Sequence, residues 1–355
     1  MRTADFVAAR LAEFGIEVHR GLAKTGVVGT LKAGSGNRAI GLRADMDALP
    51  LSEESDHPYR SDTPGKMHAC GHDGHTAMLL GAAKYLAESR NFDGTVHFIF
   101  QPAEEGEGGA KVMIEEGLFE RFPVEAVFGM HNMPGIPTGT FAMRKGPIMA
   151  AADFFFITVR GEGAHGAFPQ LGIDPVPIAA EIVMALQTIV ARNIDPGKPA
   201  VVTVTQIHAG HGTNIIPAEA TLCGTTRSFD AAVQATIEKR MREIVVGIAK
   251  AHGAKGEITY ERRYMPTINT AEETDLAAAA AIEVVGAENV NRNVPEVMGA
   301  EDFGWMLNER PGAYIFIGNG KGASLHNPRY DFNDEALALG ASYWSRLVES
   351  ILKAA

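Results

Sequence analysis

Cysteine is nearly absent: Cys70 and Cys223 are the two in 355 residues, which excludes a disulfide framework and fits a reducing, cytoplasmic compartment. Basic side chains are outnumbered, 32 Lys and Arg against 43 Asp and Glu, for a formal charge of -11. Nucleic acid and anionic membrane both require clustered cations, so neither is expected as a partner. No apolar run approaches the roughly 18 residues that a membrane helix needs. Met1–Gly15 mixes charged with apolar residues where a signal peptide would carry an apolar core. Repeats and low-complexity stretches are missing beyond the short Ala278–Ala281 run. What remains is ordinary globular composition, 46% hydrophobic and 21% charged. At about 150 residues per domain the length suggests two domains. The expectation is a soluble intracellular protein.

Short β-rich runs alternate with helical patterns, which predicts an α/β protein. An amphipathic helix over Thr3–Phe14 precedes strands at Gly26–Leu31, Ala39–Asp45, Thr95–Phe100 and Ala126–Met130. Met78, Leu79, Ala82, Ala83 and Leu86 recur at helical spacing and give a helix over Gly74–Glu88. In such a strand–helix–strand unit the ligand crevice lies at the carboxyl ends of the strands. The texture changes near Asp153. Strands at Phe154–Arg160, Ala200–Ile207, Ala220–Ser228 and Glu257–Arg263 alternate with helices from Asp174 to about Asn193 and over Ala231–His252. This β-α-β-β-α-β order marks a smaller α+β domain, and its uncovered sheet face points to pairing with another copy. A helix over Ala271–Val285, a strand over Ala313–Ile317 and a terminal helix over Asn333–Leu352 resume the first pattern. The expected organisation is a discontinuous catalytic α/β domain with a mixed central sheet, residues 1–152 and 266–355, holding an inserted domain at 153–265.

Four segments carry chemistry. Met67–His75 places Cys70 and His72 two residues apart, both ligands for borderline metals, although a buried cysteine beside capping residues has similar claims. Gln101-Pro102-Ala103-Glu104-Glu105 follows an apolar strand; one carboxylate of such a pair can hold metal while its neighbour takes a proton from water. On its own a Glu-Glu pair reads as a solvated loop. His131 and His326 follow two further strands. Cys70, His72, Glu105, His131 and His326 all fall at strand ends of one inferred sheet, enough for two metals that share a ligand. Asp45 and Asp47 lie at the same edge, with Asp47 placed to orient a ligand imidazole or to cap the turn. Arg227 has the geometry for a bidentate contact to a substrate carboxylate or for an ordinary inter-strand ion pair. His165 and Asn214, taken alone, are loop polar residues.

In order along the chain, Arg43-Ala44-Asp45-Met46-Asp47-Ala48-Leu49-Pro50, Met67–His75, Gln101–Glu105 and His131-Asn132-Met133-Pro134 are followed by Gly161–Ala167, Asn214-Ile215-Ile216-Pro217, Gly224–Arg227, Gly299–Phe303 and Leu325-His326-Asn327-Pro328. Through these strings the sequence resembles the dinuclear metallo-amidohydrolases that include hippurate hydrolase, N-acyl-amino-acid amidohydrolases and plant auxin-conjugate hydrolases, related to carboxypeptidase G and the aminoacylases. The resemblance implies Cys70, His72, Glu105, His131 and His326 as metal ligands with Cys70 bridging, and Glu104 as general base. It also implies a dimer built by the smaller domain. His165 and Asn214 would then help hold the substrate or its oxyanion, with the histidine coming from the neighbouring subunit. Glu301 matches a family string without a physical role to go with it. Two departures stand out: the family's additional N-terminal helical stretch is missing before Gly26, and Gln170 replaces a common histidine.

The expected activity is hydrolysis of the amide bond of an N-acyl amino acid, with two divalent ions drawn from zinc, manganese, cobalt or nickel. A dipeptidase or carboxypeptidase using the same centre is the alternative enzyme, and a metal-dependent binding protein the alternative without chemistry. Glu104 argues against the latter, since a binder needs no base beside its ligands.

Overall fold

The computed structural model describes residues 1–106 and 108–354; Ala355, the last residue assigned to the first domain, lies outside them. In chain order α1 (Arg2–Glu13), β1 (Glu17–Arg20), β2 (Val27–Ala33) and β3 (Ala39–Asp45) come first. They are followed by α2 (His72–Ser89), β4 (Gly94–Gln101), α3 (Gly109–Glu115), α4 (Leu118–Arg121), β5 (Ala126–Met133), β6 (Phe141–Ala142) and β7 (Gly146–Met149). A second run holds β8 (Ala151–Arg160), β9 (Ala164–His165), α5 (Pro175–Leu186), α6 (Thr188–Asn193), β10 (Ala200–Ala209), β11 (Ile215–Ile216), β12 (Glu219–Ser228), α7 (Ala231–Ala251) and β13 (Lys255–Tyr264). The chain returns through β14 (Thr267–Asn269), α8 (Ala271–Val285), β15 (Val290–Asn291), α9 (Gly304–Glu309), β16 (Gly312–Gly318) and α10 (Glu335–Ile351).

Two compact units result. The first takes in Met1–Ile148, Thr267–Glu296 and Asp302–Ala355. The second is Met149–Pro266 together with Val297–Glu301, a short segment that the sequence pattern assigns to the first domain. Among the described residues, the first unit's main sheet runs β1-β2-β4-β3-β5-β16-β6-β15. Its centre is parallel: β3 pairs with β4 and β5, and β16 with β5, all in the same direction. The flanking β2 and β6 are antiparallel to their inner neighbours, so the sheet is mixed as expected. The central strands are near-continuous apolar runs because both faces are covered. On one face α2, α8 and α10 bury Met78, Leu79, Ala82, Leu86, Ala277, Trp344 and Leu347 in one core. The parallel direction brings the carboxyl ends of β3, β4, β5 and β16 to one edge, and that edge is where the ligand-type residues gather.

In the second unit β10-β12-β8-β13 form an antiparallel sheet. Alternate residues such as Phe155, Ile157 and Val159 face α5, α6 and α7 in a separate core. Asp174 caps α5 by accepting a hydrogen bond from the Val176 amide at 2.9 Å, with Pro175 at the first helical position. Pro175–Asn193 corrects one expectation, because by length and composition it is a helix apolar enough to cross a bilayer. Its Ile178, Ala179, Ile182, Leu186 and Ile189 are instead spent on the second core.

The fully buried Leu79 on α2 belongs to the first core. Leu79→Ala should cost about 2–5 kcal/mol of stability, read as a lower midpoint in urea denaturation.

Candidate metal centre

The sheet edge delivers the expected residues to one place in the first unit. His131 is not past the end of its strand, as the sequence suggested, but within β5, two positions before its last residue. His72 opens α2, and Cys70 sits in the turn just before it. Glu104 and Glu105 follow β4, where Ala103 takes a left-handed backbone (φ 58°) that turns the chain sharply. The turn closes through Gly109, whose amide donates to the Ala103 carbonyl at 2.9 Å. A Cβ at 109 would lie 1.8 Å from the Pro102 carbonyl oxygen, so only glycine fits. His326 lies well beyond the end of β16 on a loop, again at positive φ (62°), with its amide bonded to the Ala69 carbonyl at 2.8 Å.

One donor atom each from Cys70, His72 and His131 lies within 4.8 Å of the others, and so does one each from Cys70, Glu105 and His326. Cys70 is common to both groups. His72, Glu104 and Glu105 form a third such set. The Cys70 sulfur is 3.3 Å from His131 Nε2, and His326 Nε2 is 3.0 Å from Glu105 Oε1. That last contact is one of distance rather than alignment, since Glu105 Oε1 meets no donor in hydrogen-bond geometry among the described residues.

These donors fit a divalent cation. His72 Nδ1 faces the Asp47 carbonyl at 3.1 Å and an Asp47 carboxylate oxygen at 3.3 Å, which fixes the proton on that nitrogen. Its other nitrogen, Nε2, is buried without a hydrogen-bond partner among the described residues. Such an orphan is expensive unless something binds it. His131 likewise donates Nδ1–H to the Asn132 carbonyl at 2.5 Å, leaving Nε2 toward Cys70. Asp47 also accepts the Glu105 amide at 3.0 Å, so one residue orients an imidazole and pins the neighbouring carboxylate.

The electrostatics agree. Burial opposes a charge on His72, yet Asp45, Asp47 and Glu105 outweigh it and raise its pKa to about 9. Burial dominates at His75 and His131 and lowers both to about 4. The Cys70 thiol is pushed well above its usual range by burial and then by Glu105, Glu104 and Asp45. Glu104 itself is buried, with 6% exposure.

His165, Asn214 and Arg227 belong to the second unit. Although 49 positions apart, His165 and Asn214 come together on the small ribbon of β9 and β11: Ile215 pairs with His165, and the Gly166 amide donates to the Asn214 carbonyl at 2.7 Å. Both side chains are exposed. His165 Nδ1 accepts the Ala167 amide at 3.0 Å, which puts the proton of the neutral ring on Nε2. Arg227 is half-buried on β12, where it donates to the Thr226 carbonyl at 2.9 Å and contacts the Thr225 hydroxyl.

Residues 41–350 match the family model described as peptidase family M20/M25/M40. The chain belongs to that family. It is 46% identical to the hippurate hydrolase of Campylobacter jejuni over 99% of this chain and 91% of that protein. It is 42% identical to thermostable carboxypeptidase 2 of Saccharolobus solfataricus over 96% of this chain and 87% of that one. A solved structure from Bacillus subtilis, described as a dinuclear metal-binding peptidase of the M20 family, superimposes with a TM-score of 0.85 at 33% identity, over 99% of this chain and 92% of that one.

Sequence reasoning missed the residues behind the M20 centre. His75 stands three positions after His72 on α2, a spacing that puts both on one helix face and was legible. Its Nδ1 meets Asp45 at 2.6 Å. Asn132, Tyr330, Gln101 and Asp302 gave no comparable signal.

A metal ligand must be neutral imidazole or thiolate, whereas His72 and Cys70 hold their protons up to and beyond about 9 and the usual thiol range, respectively. Zinc affinity should therefore rise with pH through neutrality and fall as acid is added, with net proton release on binding. Chelator competition at several pH values, with calorimetry in buffers of different ionisation enthalpy, measures both.

Proposed function

We propose that this chain hydrolyses the amide bond of N-acyl amino acids, giving a carboxylic acid and a free amino acid. Chemically it is a metal-dependent amidohydrolase. The observation that carries the reading is the pair of donor groups that share Cys70, with Glu104 beside them. On this reading Cys70, His72 and His131 hold one cation, Cys70, Glu105 and His326 the other, and zinc, manganese, cobalt or nickel suits the donors. Bound there, divalent cations supply Lewis acidity, lowering the pKa of water and polarising the scissile carbonyl.

The protein's own groups do the rest. Glu104 takes the proton of the attacking water on a carboxylate oxygen and returns it to the amide nitrogen as that nitrogen leaves. Its burial keeps bulk water from competing for the proton. Asp47 holds His72 and Glu105 in register. His165 offers its Nε2–H, with Asn214 beside it, to the negative oxygen that develops on the carbonyl; such donors are worth roughly 2.7–4 kcal/mol in comparable sites. Arg227 is the partner of the substrate carboxylate. We further propose a homodimer formed through the second unit, with His165 serving the neighbouring subunit's centre.

The Saccharolobus relative favours a second reading, in which the acyl group is a peptide and the enzyme a carboxypeptidase. Comparing kcat/KM for hippurate, acetyl and indoleacetyl amino acids with that for dipeptides separates the two.

Glu104→Gln should lower kcat about 10²–10⁴-fold with metal content unchanged, measured by turnover alongside elemental analysis. Loss of metal together with activity would count against the base assignment. Glu104→Gln and His165→Ala, each inactive alone, should regain activity when mixed and allowed to exchange subunits; a mixture that stays dead removes His165 from catalysis in trans.

A further inference from the structure

Asn132 is buried beside His131 at the end of β5, and every polar group on it is engaged. Its side-chain amide donates to the Cys70 carbonyl at 2.7 Å and lies 3.1 Å from His75 Nε2. Its backbone amide donates to the same His75 Nε2 at 2.9 Å, and its side-chain oxygen accepts from the Tyr330 hydroxyl at 2.7 Å. Its backbone carbonyl receives the proton of His131 Nδ1. His75 completes the set by donating its other nitrogen to Asp45. The contact is close enough to dictate sequence: a Cβ on Gly71 (φ 85°) would sit 2.2 Å from the Asn132 amide nitrogen and 2.6 Å from the Tyr330 hydroxyl.

The bonds join segments that are remote in the chain. They reach the turn with Cys70 that runs into α2, strand β5 with His131, and the loop that carries both His326 and Tyr330. Besides the His326 amide on the Ala69 carbonyl, these side-chain bonds set the spacing of the three segments here. An asparagine suits the task because it donates two hydrogens and accepts at the same time.

We propose that Asn132, braced by Tyr330 and His75, is a positioning residue that sets the distance of the Cys70 sulfur from His131 and His326, and so determines whether one sulfur can serve two cations. The proposal rests on the dinuclear reading given above. Asn132 touches neither substrate nor cation; it acts through the backbone of Cys70 and the ring of His131. Asn132→Asp removes the donor to Cys70 while keeping shape and acceptor, and Tyr330→Phe removes one hydroxyl while keeping the ring.

The test is titration of the metal-free full-length protein with cobalt(II), following the thiolate-to-cobalt charge-transfer band and the affinity by chelator competition, with circular dichroism as the check of folding. For Asn132→Asp the expected result is an affinity about 10–100-fold weaker, as for other residues that orient ligands, with a diminished and shifted band. Tyr330→Phe should change both in the same direction by less. If Asn132→Asp does not fold, Tyr330→Phe decides alone. Folded variants with wild-type affinity and band overturn the proposal, as does a lower melting temperature with unchanged affinity, which marks a purely structural role. A wild-type protein that binds fewer than two cobalt ions, or shows no thiolate band, overturns the dinuclear reading instead.

Discussion

Arg43 lies beside the candidate metal centre with 1% exposure, and its guanidinium is divided among three partners at the carboxyl ends of the parallel strands. It donates to Asp45 at 2.9 Å, to Asp302 at 3.0 Å and to Gln101 at 2.8 Å. Gln101 in turn donates to Asp302 at 2.8 Å, and the Ala110 amide at the start of α3 adds another donor to that carboxylate at 2.9 Å. Buried carboxylates without such compensation take up protons or pull the fold apart, and breaking one buried pair costs about 3–5 kcal/mol. Burial opposes the charge on Asp45, but His72, His75 and Arg43 together hold it well below the ordinary carboxylate range. Asp45 in turn fixes His75 through its Nδ1, and through His75 the backbone of β5.

The same charge arithmetic explains why the ligands are arranged in layers. Nearest the proposed cations are groups that exchange protons: a thiol, imidazoles and carboxylates. One step behind them, Arg43, Asn132, Asp45, Asp47, His75 and backbone groups hold those side chains in place. Two imidazoles facing the centre have the far nitrogen tied to a carbonyl, His72 to Asp47 and His131 to Asn132, so neither of these rings can flip without losing a bond. Parallel strands make this economical, because consecutive strand ends deliver one residue each to the same edge while helices cover both faces.

Much of this was legible in the sequence. Strand Ala39–Asp45 and helix Ala271–Val285 have the extents that their apolar periodicity predicts. The ligand-type residues were found because Cys, His and paired Glu stand out after apolar strands. What escaped was whatever depends on tertiary contact. Two-residue strands such as β6, β9, β11 and β15 are too short to show a period. The left-handed backbone at Ala103 and His326 is imposed by the surrounding loops and contradicts local propensity. Asn132 and Tyr330 look like ordinary polar residues until the turn at Gly71 is folded against them. The apolar length of Pro175–Asn193 was missed because exposed polar residues such as Glu181, Gln187 and Thr188 interrupt it in the sequence.

Cys70 carries one more implication. A cysteine sulfur attacks peroxide or a disulfide as its anion, and here burial and three neighbouring carboxylates oppose that ionisation. Burial and neighbouring negative charge therefore make this thiol a poor target for oxidation to a sulfenic acid. The carboxylates that would favour a cation beside Cys70 are also what holds its sulfur in the unreactive, protonated form.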